Sequence, residues 1–231
     1  MKTIGLIGGM SWESSIEYYR IINETAKEKL GGLHSAKSLM VTVDFAEIEK
    51  LQHEDRWDEA GQILVKCAQD LERGGADFIL LCTNTMHKLA DQIIASVNIP
   101  FLHIADATAE KIVAAGMKKI GLLGTRFTME HDFYKGRLVN KFGLDVLTPN
   151  EADREIIHRV IYDELVQGKI VDGSRNEYKR IMETLIAQGA EGIILGCTEI
   201  ELLVKQSDSH VPLFPTTSIH AISAVEYALK D

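Results

Sequence analysis

The chain repeats itself, and the repeat limits what it can fold into. Gly75-Ala76-Asp77-Phe78-Ile79-Leu80-Leu81-Cys82-Thr83-Asn84-Thr85 returns 114 positions later as Gly189-Ala190-Glu191-Gly192-Ile193-Ile194-Leu195-Gly196-Cys197-Thr198-Glu199. Lys2-Thr3-Ile4-Gly5-Leu6-Ile7-Gly8 returns as Lys118-Lys119-Ile120-Gly121-Leu122-Leu123-Gly124, and Ile99-Pro100-Phe101-Leu102 as Val211-Pro212-Leu213-Phe214. Three matches in one order at nearly one offset predict two similar halves. A period this long marks a duplicated domain rather than a solenoid.

Each repeated core segment is a short apolar run led in by Gly and closed by small polar residues. Such a run reads as a strand buried on both faces of a parallel sheet. The expected fold class is therefore α/β, with two pseudo-symmetric three-layer domains and parallel-rich sheets. The expected domains are residues 1–100, completed by 209–231, and residues 101–208. Ligands of open α/β sheets sit at the carboxyl ends of the strands. Pseudo-symmetry would bring the tips at Thr83 and Cys197 to one interdomain cleft from opposite sides.

Composition narrows the function classes. The 231 residues carry a net charge of −9, which argues against nucleic acid and anionic membrane surfaces as partners. The three cysteines, Cys67, Cys82 and Cys197, show no paired spacing, so a reducing cytoplasm is expected and a disulfide scaffold is not. The start, Met1 to Gly9, has too short an apolar run for a signal peptide, and no segment approaches a membrane span.

Along the chain, Ile16, Tyr19, Ile22, Ala26 and Leu30 stand at helical spacing, with Ser14-Ser15-Ile16-Glu17 as a capping box. Residues 39–43 read as a strand and 45–55 as a polar loop carrying Gln52 and His53. Trp57, Ala60, Leu64, Cys67 and Leu71 mark the next helix, with Cys67 on its apolar stripe. Asp106 and Thr128 read as caps of later helices. Further helices are expected over 151–166 and 174–188, and a last one runs to Leu229.

The turn Gly8-Gly9-Met10-Ser11 lacks both the dinucleotide and the phosphate-loop fingerprints. It reads as a tight strand-to-helix turn, or as a turn whose Met10 and Ser11 line a ligand site. His87, His103 and Cys82 contain no ligand doublet, so a metal is not expected and both histidines read as structural or solvated. Cys197 reads either as a small buried hydrophobe or as a reactive thiol whose following helix amides favour thiolate. Two opposed acid/base groups around a polar pocket suit proton transfer at one carbon.

Cys82-Thr83-Asn84-Thr85-Met86-His87 and Gly196-Cys197-Thr198-Glu199-Ile200, with Gly5-Leu6-Ile7-Gly8-Gly9-Met10-Ser11, resemble the aspartate/glutamate racemase family over essentially the whole chain. The likeness is closest to the enterobacterial broad-specificity or L-aspartate/glutamate-specific amino-acid racemases. The resemblance implies an amino-acid substrate, no cofactor (neither pyridoxal phosphate nor a metal), a homodimer and a two-base mechanism. Cys197 would remove the α-proton of an L-amino acid and Thr83 would deliver a proton to the other face. The family pattern has Cys directly before Asn-Thr; here Thr83 stands there and Cys82 is one residue early. A one-residue shift on a strand turns the side chain to the opposite face, so the role goes to Thr83 and Cys82 is read as packing.

The resemblance also implies that Asn84, Thr85 and Thr198 hold the substrate carboxylate and that Met10, Gln52 and Thr125 line the cleft. Glu164 stands where aspartate racemases of the family carry a Lys for the distal carboxylate, which argues against strict aspartate specificity. Two other readings stay open: a non-catalytic amino-acid-binding relative, and a Cys-dependent hydrolase or decarboxylase on the same scaffold.

Overall fold

The structure is a computed structural model, and residues 1–230 are described. The chain divides into two compact units, Met1–Ile104 with the segment from His220 onward, and Ala105–Ile219.

The first unit begins with β1 (Ile4–Gly8), α1 (Trp12–Leu30), β2 (Ser38–Thr42), α2 (Phe45–His53), α3 (Trp57–Arg73) and β3 (Phe78–Leu81). A short 3-10 turn, Thr85–Leu89, leads through α4 (Ala90–Ala95) to β4 (Phe101–Leu102) and the start of α5 (Ile104–Ala114). The four strands are all parallel, in the order β2-β1-β3-β4. Parallel strands need crossovers, and α1 and α3 supply them.

The second unit repeats this plan. It runs through β5 (Lys119–Gly124), α6 (Arg126–Glu130), α7 (Asp132–Phe142), β6 (Asp145–Leu147), α8 (Glu151–Asp163) and α9 (Asp172–Ala187). It then passes β7 (Gly192–Gly196), α10 (Ile200–Leu203), β8 (Leu213–Pro215) and the start of α11 (Thr216–Ala228). Its strands are also parallel, in the order β6-β5-β7-β8.

The central strands are apolar because both faces are covered. Every residue of β1, β3 and β7 is buried. In the first unit, Ile4, Leu6, Phe78 and Leu80 pack with Tyr18, Ile22 and Ala26 of α1 and with Ala221, Ala224 and Val225 of α11. In the second, Leu123, Ile193 and Leu195 pack with Ile157, Ile161, Tyr178, Ile181 and Cys197.

Two glycines are required where strands turn at their ends. Gly9 has φ of +92°, and a Cβ there would lie 2.3 Å from Val43 O. A Cβ on Gly196 would lie 2.7 Å from Leu123 O, so β7 and β5 could not pair this closely with any larger residue.

Several expectations need correction. Residues 101–104 belong to the first unit, because β4 bonds to β3. Residues 209–219 belong to the second, because β8 bonds to β7. The expected loop over 45–55 holds a helix: Asp44 caps it by accepting from Ala46 N at 3.0 Å, and Ile48, Leu51 and Gln52 are buried. Helix α1 is capped by Ser11, not Ser14, and Ile16 and Tyr19 face outward while Tyr18, Ile21 and Thr25 face the core. Asp106 lies inside α5 and pairs with Arg137 and Lys141 rather than capping. Thr125, not Thr128, caps α6.

Burial also sets an alkaline limit on stability. It pushes the Cys82 thiol and the Tyr134 and Tyr178 phenols well above their ordinary values. The unfolded chain releases those protons at about 8.5 for Cys and about 10 for Tyr. Above that range the unfolded state binds fewer protons, so stability declines as pH rises. Urea titrations at about pH 7.5 and about pH 10 should show a lower midpoint at the higher pH. An unchanged midpoint would mean that the unfolded chain holds these protons as tightly as the fold does.

Candidate active site

In the first unit, three strand ends gather the candidate residues. The tip of β1 continues as Gly9, Met10 and Ser11. The end of β2 leads to Asp44 and helix α2, which carries Gln52. The end of β3 leads to Cys82, Thr83, Asn84 and Thr85. Parallel register puts these three ends on one edge of the sheet, with Ile7 opposite both Val41 and Leu81.

The edge is cross-linked from within the unit. Cys82 N donates to Ile7 O at 2.9 Å, and Val43 N donates to Gly8 O at 3.1 Å. Ser14 Oγ donates to Cys82 O at 3.4 Å, and Gly9 N donates to Ser15 Oγ at 2.8 Å. Gln52 is buried rather than solvated, and its Nε2 donates to Met86 Sδ at 2.8 Å, which ties α2 to the turn after Thr83. Met10, Thr83, Asn84 and Thr85 are all buried as well. Cys82 and Thr83 differ in surroundings. Cys82 is in the core beside Ile4, Tyr18 and Ala221, and burial keeps its thiol protonated.

In the second unit the matching edge carries Thr125 after β5 and Cys197, Thr198 and Glu199 after β7. Gly124 and Gly196 are register partners, so Thr125 and Cys197 follow neighbouring strand ends. Thr125 Oγ1 accepts from Thr128 N at 3.3 Å, which starts α6. Cys197 Sγ donates to Glu199 Oε2 at 2.9 Å, and Thr198 Oγ1 donates to the same oxygen at 2.6 Å.

The Cys197 thiol is raised well above an ordinary thiol, first by burial, then by the Glu199 charge and its hydrogen bond. The backbone amides of Glu199 and Ile200 pull the other way, as expected for a thiol before a helix, but they are outweighed. The resting group is a thiol, so helix amides alone do not make it a thiolate.

Glu164 ends α8 and accepts from Ser174 Oγ at 2.6 Å. Burial, and after it the electrostatics of Cys197 and Glu164, push the Tyr178 phenol up, and Tyr178 packs in the same core cluster as Cys197. Met10, Gln52, Thr83, Asn84 and Thr85 thus share one sheet edge, and Thr125, Cys197 and Thr198 share the other.

Two residues in these surroundings had no assigned part. Glu199 holds both Cys197 and Thr198. Its signal was present: at the repeat offset it stands over Thr85. His87 is 2% exposed, not solvated, and its Nδ1 lies 2.6 Å from Thr83 O. Among the described residues, no three His, Cys, Asp or Glu side chains are grouped to hold a metal ion.

The sequence model of the family described as Asp/Glu/Hydantoin racemase matches residues 7–224. The chain belongs to the Asp/Glu/hydantoin racemase family. Both strand-tip segments lie inside the matched range. As a member of this racemase family, the chain is 56% identical to a Yersinia pestis protein of known structure described as a candidate Asp/Glu racemase. Each of the two is covered over 100% of its length, and the TM-score is 0.94. It is 36% identical to PH1733, an aspartate racemase homologue from Pyrococcus horikoshii OT3, again over 100% of both chains, with a TM-score of 0.86. It is also 27% identical over 175 residues to the broad specificity amino-acid racemase RacX of Bacillus subtilis, covering 73% of this chain and 72% of RacX. No described helix is long and apolar enough to cross a membrane.

Proposed function

We propose that this chain is a cofactor-independent amino-acid racemase that moves the α-proton between Cys197 on one face of the α-carbon and Thr83 on the other. The observation that carries this reading is the Cys197 to Glu199 contact at 2.9 Å, at the position where the repeat places Thr83 in the first half. A thiol with a carboxyl acceptor in reach can give up its proton without an external base. The proton passes from Sγ to Glu199 Oε2, and the thiolate then takes the α-proton of the L-amino acid. The transfer moves one negative charge between the two groups and adds none, which matters in a buried site.

The electron pair of the broken Cα–H bond flows toward the substrate carboxylate. Preorganised donors must stabilise that charge, and Asn84, Thr85 and Thr198 are the groups for it. The Thr198 hydroxyl proton points at Glu199, so Thr198 would serve through its backbone N–H. Thr83 then gives its hydroxyl proton to the opposite face and regains one from water, and Glu199 releases the proton it took from Cys197 to solvent, which neutralises the hydroxide and resets both groups. Glu164, held by Ser174, would repel a distal carboxylate, which favours neutral or mixed substrates over aspartate alone. The reaction proceeds in the cytoplasm on a free amino acid.

The test is proton NMR in deuterium oxide, with chiral chromatography alongside, on both enantiomers of aspartate, glutamate and homoserine. Wild type should exchange the α-proton and invert at least one pair. Thr83→Ala should lose inversion by about 10²-fold or more, the lower end of general acid-base contributions, and should keep exchange from the L enantiomer. Retained exchange requires the Cys197 proton to trade with solvent while the carbanion lives. Binding of an amino acid by wild type without exchange or inversion would instead mark a binding protein.

A further inference from the structure

Thr83 is held from both sides, and one of the holds is His87. Thr83 N donates to Leu81 O at 2.9 Å, and Thr83 O accepts from His87 Nδ1 at 2.6 Å. When both planar peptide groups flanking a residue are hydrogen-bonded, rotation about its φ and ψ is restricted, and with it the direction of its Cα–Cβ bond. Only χ1 remains, and a β-branched side chain has few choices there. What holds the Thr83 carbonyl therefore also aims its hydroxyl.

The imidazole can do this in one form only. Thr83 O is an acceptor, so Nδ1 carries the hydrogen. Ile104 N–H is a donor, and it points at His87 Nε2 at 3.2 Å, so Nε2 is bare. The ring is neutral and bridges the end of β3 to the first residue of α5. It is buried against His103, with ring centroids 4.4 Å apart and the ring planes tilted by 58°, so it has little room to turn.

The second unit has the same device in different chemistry. At the repeat offset of 114, His87 stands over Glu201. Glu201 Oε1 accepts from Thr217 N at 3.0 Å and Oε2 accepts from Ser218 Oγ at 2.9 Å, at the start of α11. In each half, the residue four positions after the candidate proton carrier is bonded to the helix that follows the fourth strand. Only in the first half does that residue also bond the carrier's own carbonyl.

We infer that His87 is a positioning residue for the Thr83 face of the reaction: its single-tautomer imidazole fastens the Thr83 carbonyl to the start of α5 and so fixes the hydroxyl. The inference rests on the racemase reading and adds a division of labour to it, because His87 acts on one face and not on the other.

The test measures inversion and α-proton exchange separately for His87→Phe, His87→Asn and His87→Gln, with L- and D-aspartate, glutamate and homoserine. His87→Phe keeps an aromatic ring and loses both bonds. Inversion should fall about tenfold to 10²-fold, the scale of a misplaced reacting group, while exchange from the L enantiomer stays within about twofold. His87→Asn places an amide donor where Nδ1 was and should recover most of the inversion. His87→Gln extends past that point and should recover less.

Equal loss of exchange and inversion in His87→Phe, or no loss of inversion, would overturn the inference. If His87→Phe does not fold, the order of Asn over Gln decides, since a residue that only fills space gives no such order. Failure of the racemase reading itself shows in the wild-type control, which would neither exchange nor invert any pair, and it removes this inference as well.

Discussion

Cys197→Ala is expected to lower α-proton exchange from the L enantiomer by about 10²- to 10⁴-fold, the range for removing a positioned general base. No neighbour can replace the lost thiolate. Thr83 has a hydroxyl far less acidic than a thiol. Cys82 lies one residue away from that position, inside the core, where burial keeps it protonated. Exchange from the D enantiomer should fall less than exchange from the L enantiomer, because the other face keeps its own group. The measurement is the NMR exchange rate for each enantiomer, with circular dichroism and thermal unfolding on the same samples to establish that the variant is folded. Wild-type exchange in folded Cys197→Ala would remove Cys197 from the reaction.

Glu199→Gln tests the step before that one, and two observables should move in opposite directions. The Glu199 charge is one of the causes that hold the Cys197 thiol high, after burial. Replacing the carboxyl with an amide removes that charge, so the thiol should ionise at lower pH than in wild type. If Glu199 only discouraged the thiolate, the variant would carry more thiolate and react faster. If Glu199 takes the thiol proton, the amide cannot do so, and exchange at neutral pH should fall by about 10²-fold. The thiol is followed by its ultraviolet thiolate absorbance over a pH series, with Cys197→Ala as the blank. A faster variant with a lower thiol pKa would assign Glu199 an electrostatic role and end the relay.

Much of the fold could be read from the chain because parallel strands covered on both faces are written as uninterrupted apolar runs. The runs at 78–81 and 192–196 are the middle strands of their sheets, and their polar ends stand where the repeat puts them. Helix faces were harder. In α1, Ile16 and Tyr19 satisfy helical spacing with Ile22 and Ala26 as well as Tyr18, Ile21 and Thr25 do, and only packing against β1 and α11 leaves Ile16 and Tyr19 outside. Helix α2 was missed because its buried side is short, with Ile48, Leu51 and Gln52 among charged neighbours. The terminal residues of each unit were misassigned because strand pairing between residues far apart in sequence, β3 with β4 and β7 with β8, decides membership.

By itself the sequence determined the duplication, the parallel α/β class and the two strand tips that carry Thr83 and Cys197. These depend on local composition and on a pattern that recurs along the chain, and both are visible without coordinates. The tertiary structure decided what surrounds those residues. It placed Glu199 on Cys197, His87 on the Thr83 carbonyl and Cys82 in the core. The His87 bridge depends on the carbonyl of Thr83 and the amide of Ile104 reaching the two nitrogens of one ring. The protonation of the Cys197 thiol is a balance of burial, charge and amide dipoles. Distances across the chain set both of these, and residue order does not encode such distances directly.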